Sequence, residues 1–194
     1  GMQTAWSQTP ISLHPENPRY LFYKGKPVVL ISSAEHYGAI LNLDFDYVKY
    51  LEVLHRYGLN HTRAFSGTYC EASEFDIEKG KTFSWDDIQN SLSPRPGKFI
   101  TPWARSTTPG YVRSGNKFDL DKWDDAYFSR LRDFLKEASK QDVVVELVLF
   151  TALYSPGHWQ SSPLHPSNNI NGTENAPFTE FHLPKHKKLF KRQL

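Results

Sequence analysis

Aromatic and hydrogen-bonding side chains are concentrated in two long segments, 69–118 and 151–183, and this mixture of residue types suits a sugar. The apolar faces of a pyranose ring pack on aromatic planes, whereas its hydroxyl groups need directional donors and acceptors. For any single aromatic side chain, packing within its own segment is the simpler interpretation, so the prediction depends on the group as a whole. The aromatic residues are Tyr69, Phe83, Trp85, Phe99, Trp103, Tyr111, Tyr154 and Trp159.

Three groups of polar and aromatic side chains fall where strands are predicted to end. Glu35 could act as an acid, a base or a ligand-orienting carboxylate, or it could cap a helix or form an ion pair. Arg63 could hold a nearby carboxylate in its ionised form. Alternatively, it could form a structural pair with Glu146, which interrupts an apolar strand and needs a partner if buried; for Glu146 we favour that pair. The predicted sugar-binding residues are Glu35, His36, Tyr37, Arg63, Tyr69, Trp103, Tyr154, His158 and Trp159.

Other chemistries have weaker support in the sequence. Phosphate-binding glycine loops, the G-x-S-x-G nucleophile motif and paired C-x-x-C motifs are absent. Cys70 follows a predicted strand and is better explained by packing than by nucleophilic chemistry. His182 and His186 have the spacing of a helical metal pair, but Pro184 lies between them and a third ligand is not evident. The sequence therefore predicts no metal and no cofactor.

Composition excludes two classes of partner. The 194 residues are 39% hydrophobic and carry a formal net charge of only +2, which gives no electrostatic footprint for nucleic acid. No apolar run approaches the roughly 20 residues of a membrane helix, so a membrane partner is not expected either. The single cysteine excludes an internal disulfide framework and leaves the compartment open, and an extracellular or periplasmic location is compatible with the sequence.

The pattern of the first part of the chain predicts strands and a helix. Arg19–Tyr23 and Pro27–Ser33 look like two short extended runs around a glycine turn. Val28–Ile31 is apolar on both faces, as expected of a parallel strand that is covered on each side. A helix over 45–57, capped by Asp44 and stopped by Gly58, then leads to a strand over Asn60–Ser66.

A second helix is predicted to begin at Asp121 and to span 122–139, followed by the strand Val143–Phe150. Because strands and helices alternate, we expect Val28–Ile31, Thr62–Phe65 and Val143–Leu149 to be adjacent parallel strands with the helices outside. Each long loop follows a strand and so emerges at the carboxyl end of the sheet, where such folds place their sites. We therefore expect Glu35, Arg63, Tyr154 and His158 to cluster there.

Three stretches, Val29–Gly38, Tyr57–Arg63 and Val143–Phe150, resemble cellulase-like glycoside hydrolases of the (β/α)8-barrel clan, and the resemblance spans about residues 18–183. The Gly-x-Asn-x-x-Arg run that ends at Arg63 is its most diagnostic part, since the clan keeps an arginine there to support the catalytic nucleophile. Pro102-Trp103-Ala104-Arg105 and Asn116-Lys117-Phe118-Asp119 look like loop elements from a branch of the clan.

The resemblance implies an α/β fold, an incomplete TIM-barrel-like (β/α) repeat with the first three βα units and long strand-to-helix loops. On this interpretation residues 1–2 are a tag remnant, and 3–194 form one partial barrel domain truncated at its C-terminus. The implied activity is retaining O-glycosyl hydrolysis by two carboxylates. The clan places those glutamates after its fourth and seventh strands, so this chain would bind a poly- or oligosaccharide without catalysing, with Glu35 and Arg63 as supporting candidates.

Two alternatives remain beside this interpretation. In the first, the chain is a non-catalytic carbohydrate-binding or self-assembling half-barrel module, forming a homo-oligomer through exposed barrel edges. In the second, it is a complete small enzyme in which Glu35 works with Glu71 or Glu74, at the separations of about 5 to 9.5 Å that glycosidases use.

Overall fold

The computed structural model of the protein describes residues 10–33, 37–71, 91–151, 153 and 156–175. The chain falls into two compact units, Gly1–Ile31 and Ser32–Leu194. No helix in the described ranges is both long enough and apolar enough to cross a bilayer.

The first unit contains a three-stranded antiparallel sheet in the order β1 (Ser12–Leu13), β2 (Leu21–Tyr23) and β3 (Lys26–Val28). The two residues between β2 and β3, Lys24 and Gly25, both have positive φ, 50° and 77°. This is the backbone that a two-residue hairpin needs, so the predicted glycine turn is confirmed.

The prediction that Val28–Ile31 is a buried parallel strand is wrong. Val28 ends β3 and lies opposite Leu21 in an antiparallel pair. Val29 and Ile31 are 61% and 50% exposed. A short run of apolar residues is compatible with a buried strand, but here the preceding turn folds the run back on β2, and pairing rather than composition decides its environment.

The second unit contains a parallel pair of strands flanked by helices. These elements are α1 (Tyr47–Arg56), β4 (His61–Phe65), α2 (Asp125–Lys140) and β7 (Val144–Val148). Strands β4 and β7 run parallel with Arg63 opposite Glu146. The predicted parallel pairing of these two strands is therefore confirmed. Ser32 adds an isolated parallel bridge to His61.

The helix stops are confirmed, whereas both predicted starts are wrong. Gly58 has φ +71°, and the Leu59 and Gly58 amides donate to the carbonyls of Leu54 and His55, which terminates α1 in a Schellman motif. Asp46, not Asp44, caps α1 by accepting from the Lys49 amide at 3.0 Å. Asp44 instead pairs with Lys98 at 3.2 Å.

The start of α2 differs because Asn116–Trp123 is a strand, β6. Asp124 caps the helix by accepting from the amides of Ala126 and Tyr127. Trp123, which the helical spacing placed on the apolar face, is 55% exposed at the end of the strand. The alternation of Phe118 and Leu120 with charged residues is a strand pattern that the helical interpretation overlooked.

The segment over 69–118 is not a structureless loop. It contains β5 (Trp103–Pro109), which pairs antiparallel with β6, and the later segment contains α3 (Pro156–Ser161). The fold-class prediction of an incomplete (β/α) barrel with three βα units is therefore wrong. In the described residues, small antiparallel sheets accompany one parallel pair, because a hairpin follows β4 where a repeat would place only a loop.

Two hydrophobic clusters form the core of the described part of the second unit. The first joins Ala64 to apolar side chains of both long helices, among them Leu51, Leu54 and Phe134. The second surrounds the β5–β6 hairpin and includes Trp103, Phe118 and Trp159. The helices thus cover one face of the β4–β7 sheet. On the other face, Phe65 packs against the second cluster.

Candidate functional site

The face of the β4–β7 sheet that the helices leave uncovered carries the predicted Arg63. Alternate residues of a strand point to opposite faces, so Thr62 and Ala64, both buried, face the helices while His61, Arg63 and Phe65 face the other way. Glu146 lies opposite Arg63 and shares its face. Strand alternation and the register of β4 with β7 therefore bring a cation, a carboxylate and an imidazole together here.

Arg63 and Glu146 form the ion pair that the sequence predicted. Arg63 Nε lies 3.0 Å from Glu146 Oε1, and Nη2 donates to Oε2 at 3.2 Å, which is the bidentate arrangement of a guanidinium and a carboxylate. His61 Nε2 lies 3.5 Å from the same Oε2. The side chains of Arg63 and Glu146 are 43% and 46% exposed, so the pair remains accessible from solvent.

A row of aromatic rings continues from this pair toward the carboxyl end of the strands. We call Tyr37, Phe65, Tyr69 and His158 the aromatic row. Tyr37 stacks on Phe65 with ring centres 5.2 Å apart, Phe65 meets the edge of Tyr69 at 5.5 Å, and Tyr69 lies 4.8 Å from the His158 ring. The Arg63 guanidinium carbon is 5.7 Å from the centre of the Tyr37 ring. The structure thus brings four predicted residues, Tyr37, Arg63, Tyr69 and His158, into one continuous set of contacts.

Three of the predicted sugar-binding aromatics are buried in the core. Tyr69, Trp103 and Trp159 are only 1–4% exposed and belong to the cluster around the hairpin. Trp159 Nε1 donates to Asn175 at 2.6 Å, which holds its ring against the end of the described segment. Cys70 is fully buried in the same cluster, as packing predicts. These side chains position the surface residues and present little ring area to a ligand.

Several predicted residues fall outside the described ranges. These residues are Glu35, His36, Tyr154, Phe83, Trp85, Glu74, His182 and His186. Their proposed roles stay predictions, including the clustering of Glu35 with Arg63 and the pairing of Glu35 with Glu71 or Glu74.

A second concave site lies beside the hairpin, and we call it the hairpin pocket. It has a volume of about 470 Å³, within the range of ligand pockets. The buried side chains of Phe99, Thr101, Trp103 and Phe118 form its floor, and the exposed Leu43 and Ser114 form its rim. The other polar lining residues are Arg105, Asn116 and Asp124, and Gly97, Ile100 and Gly115 complete the lining.

Arg105 is the principal charged group of the hairpin pocket. Its guanidinium carbon lies 3.8 Å from the ring centre of Phe118 and 4.6 Å from that of Tyr111. Nη1 donates to the Asn116 carbonyl at 2.8 Å and Nη2 to the Phe99 carbonyl at 3.4 Å. Burial lowers the pKa of this guanidinium, and Tyr111 and Asp124 oppose that shift. The side chain is therefore a partly desolvated cation held in one orientation.

Sequence reasoning missed His61 and Arg105 as site residues. His61 is two residues before Arg63, the spacing that places both on one face of a strand, so the pattern contained the signal. Arg105 has the same relation to Trp103, but the signal is usable only when 103–109 is known to be a strand. Because 69–118 was interpreted as a loop, strand alternation was not applied to these residues.

Among the described residues, no three or more His, Cys, Asp or Glu side chains are grouped so that they could hold a metal ion. Comparison with known proteins gives no relative to guide the assignment: no protein-family model matches the chain, and no curated protein matches it significantly.

Proposed function

We propose that the chain binds an oligosaccharide, as a protein similar to cellulase-like glycoside hydrolases, using the Arg63–Glu146 pair and the partly buried rings of the aromatic row, Tyr37 and Phe65, which the buried Tyr69 supports from behind. One observation carries this proposal. Tyr37, Arg63, Tyr69 and His158, selected as sugar-binding residues from the sequence, are joined by contacts on one face of the β4–β7 sheet.

The chemistry of this face matches the two needs of a sugar. Partly buried rings such as Tyr37 and Phe65 offer apolar surface to the C–H faces of a pyranose. Beside them, the accessible guanidinium and carboxylate of the ion pair offer donors and acceptors to hydroxyl groups. Because Glu146 is fixed by Arg63 and approached by His61, its carboxylate is oriented before a ligand arrives, which reduces the entropic cost of binding.

Hydrolysis is a separate question from binding. A retaining reaction needs two carboxyl groups about 5 to 5.5 Å apart, one acting as nucleophile and one as acid and base. We assign Glu146 to hydroxyl binding, because its carboxylate is already engaged by two side chains. The resemblance to glycoside hydrolases supports retaining chemistry in a relative that supplies the two glutamates, and oligosaccharide binding in this chain.

Titration calorimetry with soluble β-linked oligosaccharides of glucose, mannose and xylose tests the proposal. We expect one of these series to bind, and Tyr37→Ala to weaken its affinity about fivefold or more by removing stacking area. Tyr57→Ala is the matched control, because Tyr57 is 74% exposed at the end of α1 and away from the aromatic row. Affinity that is lost equally in both variants, or not lost in Tyr37→Ala, would contradict the proposal.

The ion pair is tested by exchanging its members. Glu146→Gln keeps the shape of the side chain and removes the charge that holds Arg63, so we expect weaker sugar binding with little change in thermal stability. Assays on a panel of aryl glycosides, run on the same preparations, measure whether hydrolysis accompanies binding. If Glu146→Gln bound the sugar with wild-type affinity, the ion pair would have no role in sugar binding.

A further inference from the structure

We infer that the hairpin pocket is a subsite for an acidic sugar, a pyranose that carries a carboxylate. The inference rests on the proposed function for the class of ligand and goes beyond it in naming the charge of one sugar unit and the residue that recognises it. The pocket is formed by different residues from those of the aromatic row.

The first argument is the unbalanced charge of Arg105. A guanidinium has five N–H donors, and two of them are used here, both on main-chain carbonyls. Within the described residues no carboxylate lies within ion-pair distance of this side chain. Partial burial of an unpaired charge is costly, so an anion bound in the pocket beside this partly buried guanidinium would be favoured.

The second argument is the position of the other charged group. Asp124 also lines the pocket, but its carboxylate accepts from the first amides of α2 at 2.9 and 3.3 Å. The positive end of the helix thus compensates its negative charge. Arg105 receives only the longer-range attraction of Asp124 and Tyr111, without an ion pair among the described residues, and its stacking on Phe118 and Tyr111 fixes the plane of the guanidinium, a group suited to bidentate carboxylate recognition.

The third argument separates a sugar acid from a simple anion. The pocket, at about 470 Å³, is much larger than a lone carboxylate needs. Beyond the charged Arg105 and Asp124, the pocket is lined by apolar side chains, among them Leu43, Phe99 and Ile100, and by the neutral polar side chains of Ser114 and Asn116. Apolar surface with scattered neutral hydrogen-bonding groups suits the ring and hydroxyls of a pyranose whose carboxylate meets Arg105.

Titration calorimetry with matched methyl glycosides tests the inference. Methyl glucuronide and methyl galacturonide are compared with methyl glucoside and methyl galactoside, which differ from them only in carrying a hydroxymethyl group at C6 in place of the carboxylate. We expect the acidic members to bind at least about tenfold more tightly, the range for a charge-assisted hydrogen bond. Acetate and inorganic phosphate, titrated alone, should bind more weakly than either sugar acid.

Two kinds of variant locate the site. Arg105→Gln should lose the preference for the acid, and Arg105→Lys should restore only part of it because an ammonium cannot form the bidentate pair. Arg132→Gln, an exposed arginine of α2, is the matched control. Leu43→Glu at the exposed rim should weaken binding of the sugar acid by repulsion, whereas Leu43→Gln should not. Because these two variants keep Arg105, they test the inference even if the Arg105 variants fail to fold.

The outcomes separate this inference from the proposed function. Equal affinity for acidic and neutral glycosides, or an unchanged preference in Arg105→Gln and Leu43→Glu, overturns the sugar-acid subsite. Binding of acetate or phosphate as tight as that of the sugar acids reduces the pocket to a simple anion site and also overturns it. The proposed function fails by a different measurement: oligosaccharide affinity would then be unchanged in Tyr37→Ala.

Discussion

Arg130 ties helix α2 to the segment that leads into α1. Its Nε donates to the carbonyl of Ile40 at 3.0 Å, and its Nη2 lies 2.8–3.0 Å from the carbonyls of Ala39, Asn42 and Phe45. Burial lowers the pKa of this guanidinium, opposed by Tyr47 and Asp133. One side chain therefore satisfies several carbonyls that no regular element satisfies.

We expect Arg130→Met to lower the free energy of unfolding by about 2–4 kcal/mol. Methionine keeps much of the apolar stem, but it removes the donor of the Ala39 and Ile40 carbonyls, while the carbonyls of Asn42 and Phe45 keep the turn amides that they also accept. Urea denaturation measures the change. Arg132→Met is the control, since Arg132 is exposed and contacts Ser129 on its own helix, and it should change stability by less than about 0.5 kcal/mol. Equal effects of the two substitutions would show that the carbonyl contacts contribute nothing.

Tyr47 makes the stability of the folded state depend on pH in the alkaline range. Burial first, and then the hydrogen bond that its hydroxyl donates to Asp133, raise the pKa of Tyr47 from 10.0 to about 12. The folded state thus favours the neutral phenol, and this contribution to stability is complete below pH 10 and is lost as pH rises from 10 to 12.

Unfolding free energies measured between pH 8 and 11.5 should therefore fall less steeply in Tyr47→Phe than in the wild type. Tyr111 and Tyr127, whose pKa values burial also raises, stay in both proteins, so the difference between the two slopes isolates Tyr47. Tyr57→Phe, at an exposed position, should keep the wild-type slope. Identical slopes for Tyr47→Phe and the wild type would contradict the assignment.

At the residue scale, the sequence predicted contacts that follow from strand periodicity. Arg63 and Glu146 were paired because Glu146 interrupts an otherwise apolar strand and needs a partner, and parallel register brings the two together. The environment of Arg105 could not be predicted in this way, because it depends on Phe118 across the hairpin and on the Phe99 carbonyl from the preceding segment. Such neighbours are set by tertiary pairing, which no local pattern encodes.

Elements in this chain are delimited by glycines in two different ways. Gly58 ends α1 with φ +71° and open space around the position of a Cβ. Gly38 has an ordinary φ, but a Cβ there would lie 2.0 Å from the Ser91 carbonyl oxygen. The first glycine is required by backbone conformation, and the second by the close approach of another chain segment.

The substitutions Gly58→Ala and Gly38→Ala should differ sharply as a result. At Gly58 the cost is that of a left-handed residue alone, about 1 kcal/mol. At Gly38 two backbone segments must separate, and we expect a loss of more than about 3 kcal/mol or a failure to fold. Thermal denaturation of both variants provides the measurement. A loss at Gly38 no larger than at Gly58 would show that the contact with Ser91 is easily relaxed.

At the element scale, helix ends were predicted better than helix starts. Gly58 and the turn over Lys140–Asp142 stop helices through local backbone bonds that the sequence shows directly. The starts failed because several acidic residues, Asp44 and Asp46 or Asp121 and Asp124, could each act as a cap. Which one does so depends on where the preceding segment is held, as when Lys98 pairs with Asp44.

At the scale of the whole molecule, the alternation of strands and helices predicted more regularity than the chain has. The parallel pair β4–β7 and its helices follow from strong local patterns. The β5–β6 sheet was missed because a hairpin and a functional loop have similar compositions of glycine, proline and aromatic residues, and in the first sheet the glycine turn was predicted but not the antiparallel pairing of Val28. Strand pairing is a long-range property, and in those segments the local pattern was compatible with more than one partner.

The parallel pairing of β4 and β7 also constrains the order in which the chain can fold. Arg63 and Glu146 meet although they are 83 residues apart in the sequence. Closing a loop of that length costs several times RT in chain entropy before any contact compensates it, whereas the β5–β6 hairpin within the loop closes locally. The hairpin, with Arg105 already across from Phe118, can therefore form first and shorten the search that brings β7 to β4. On this account the amides of β4 and β7 are among the last to gain protection during refolding, and the charged face they carry is the final part of the molecule to assemble.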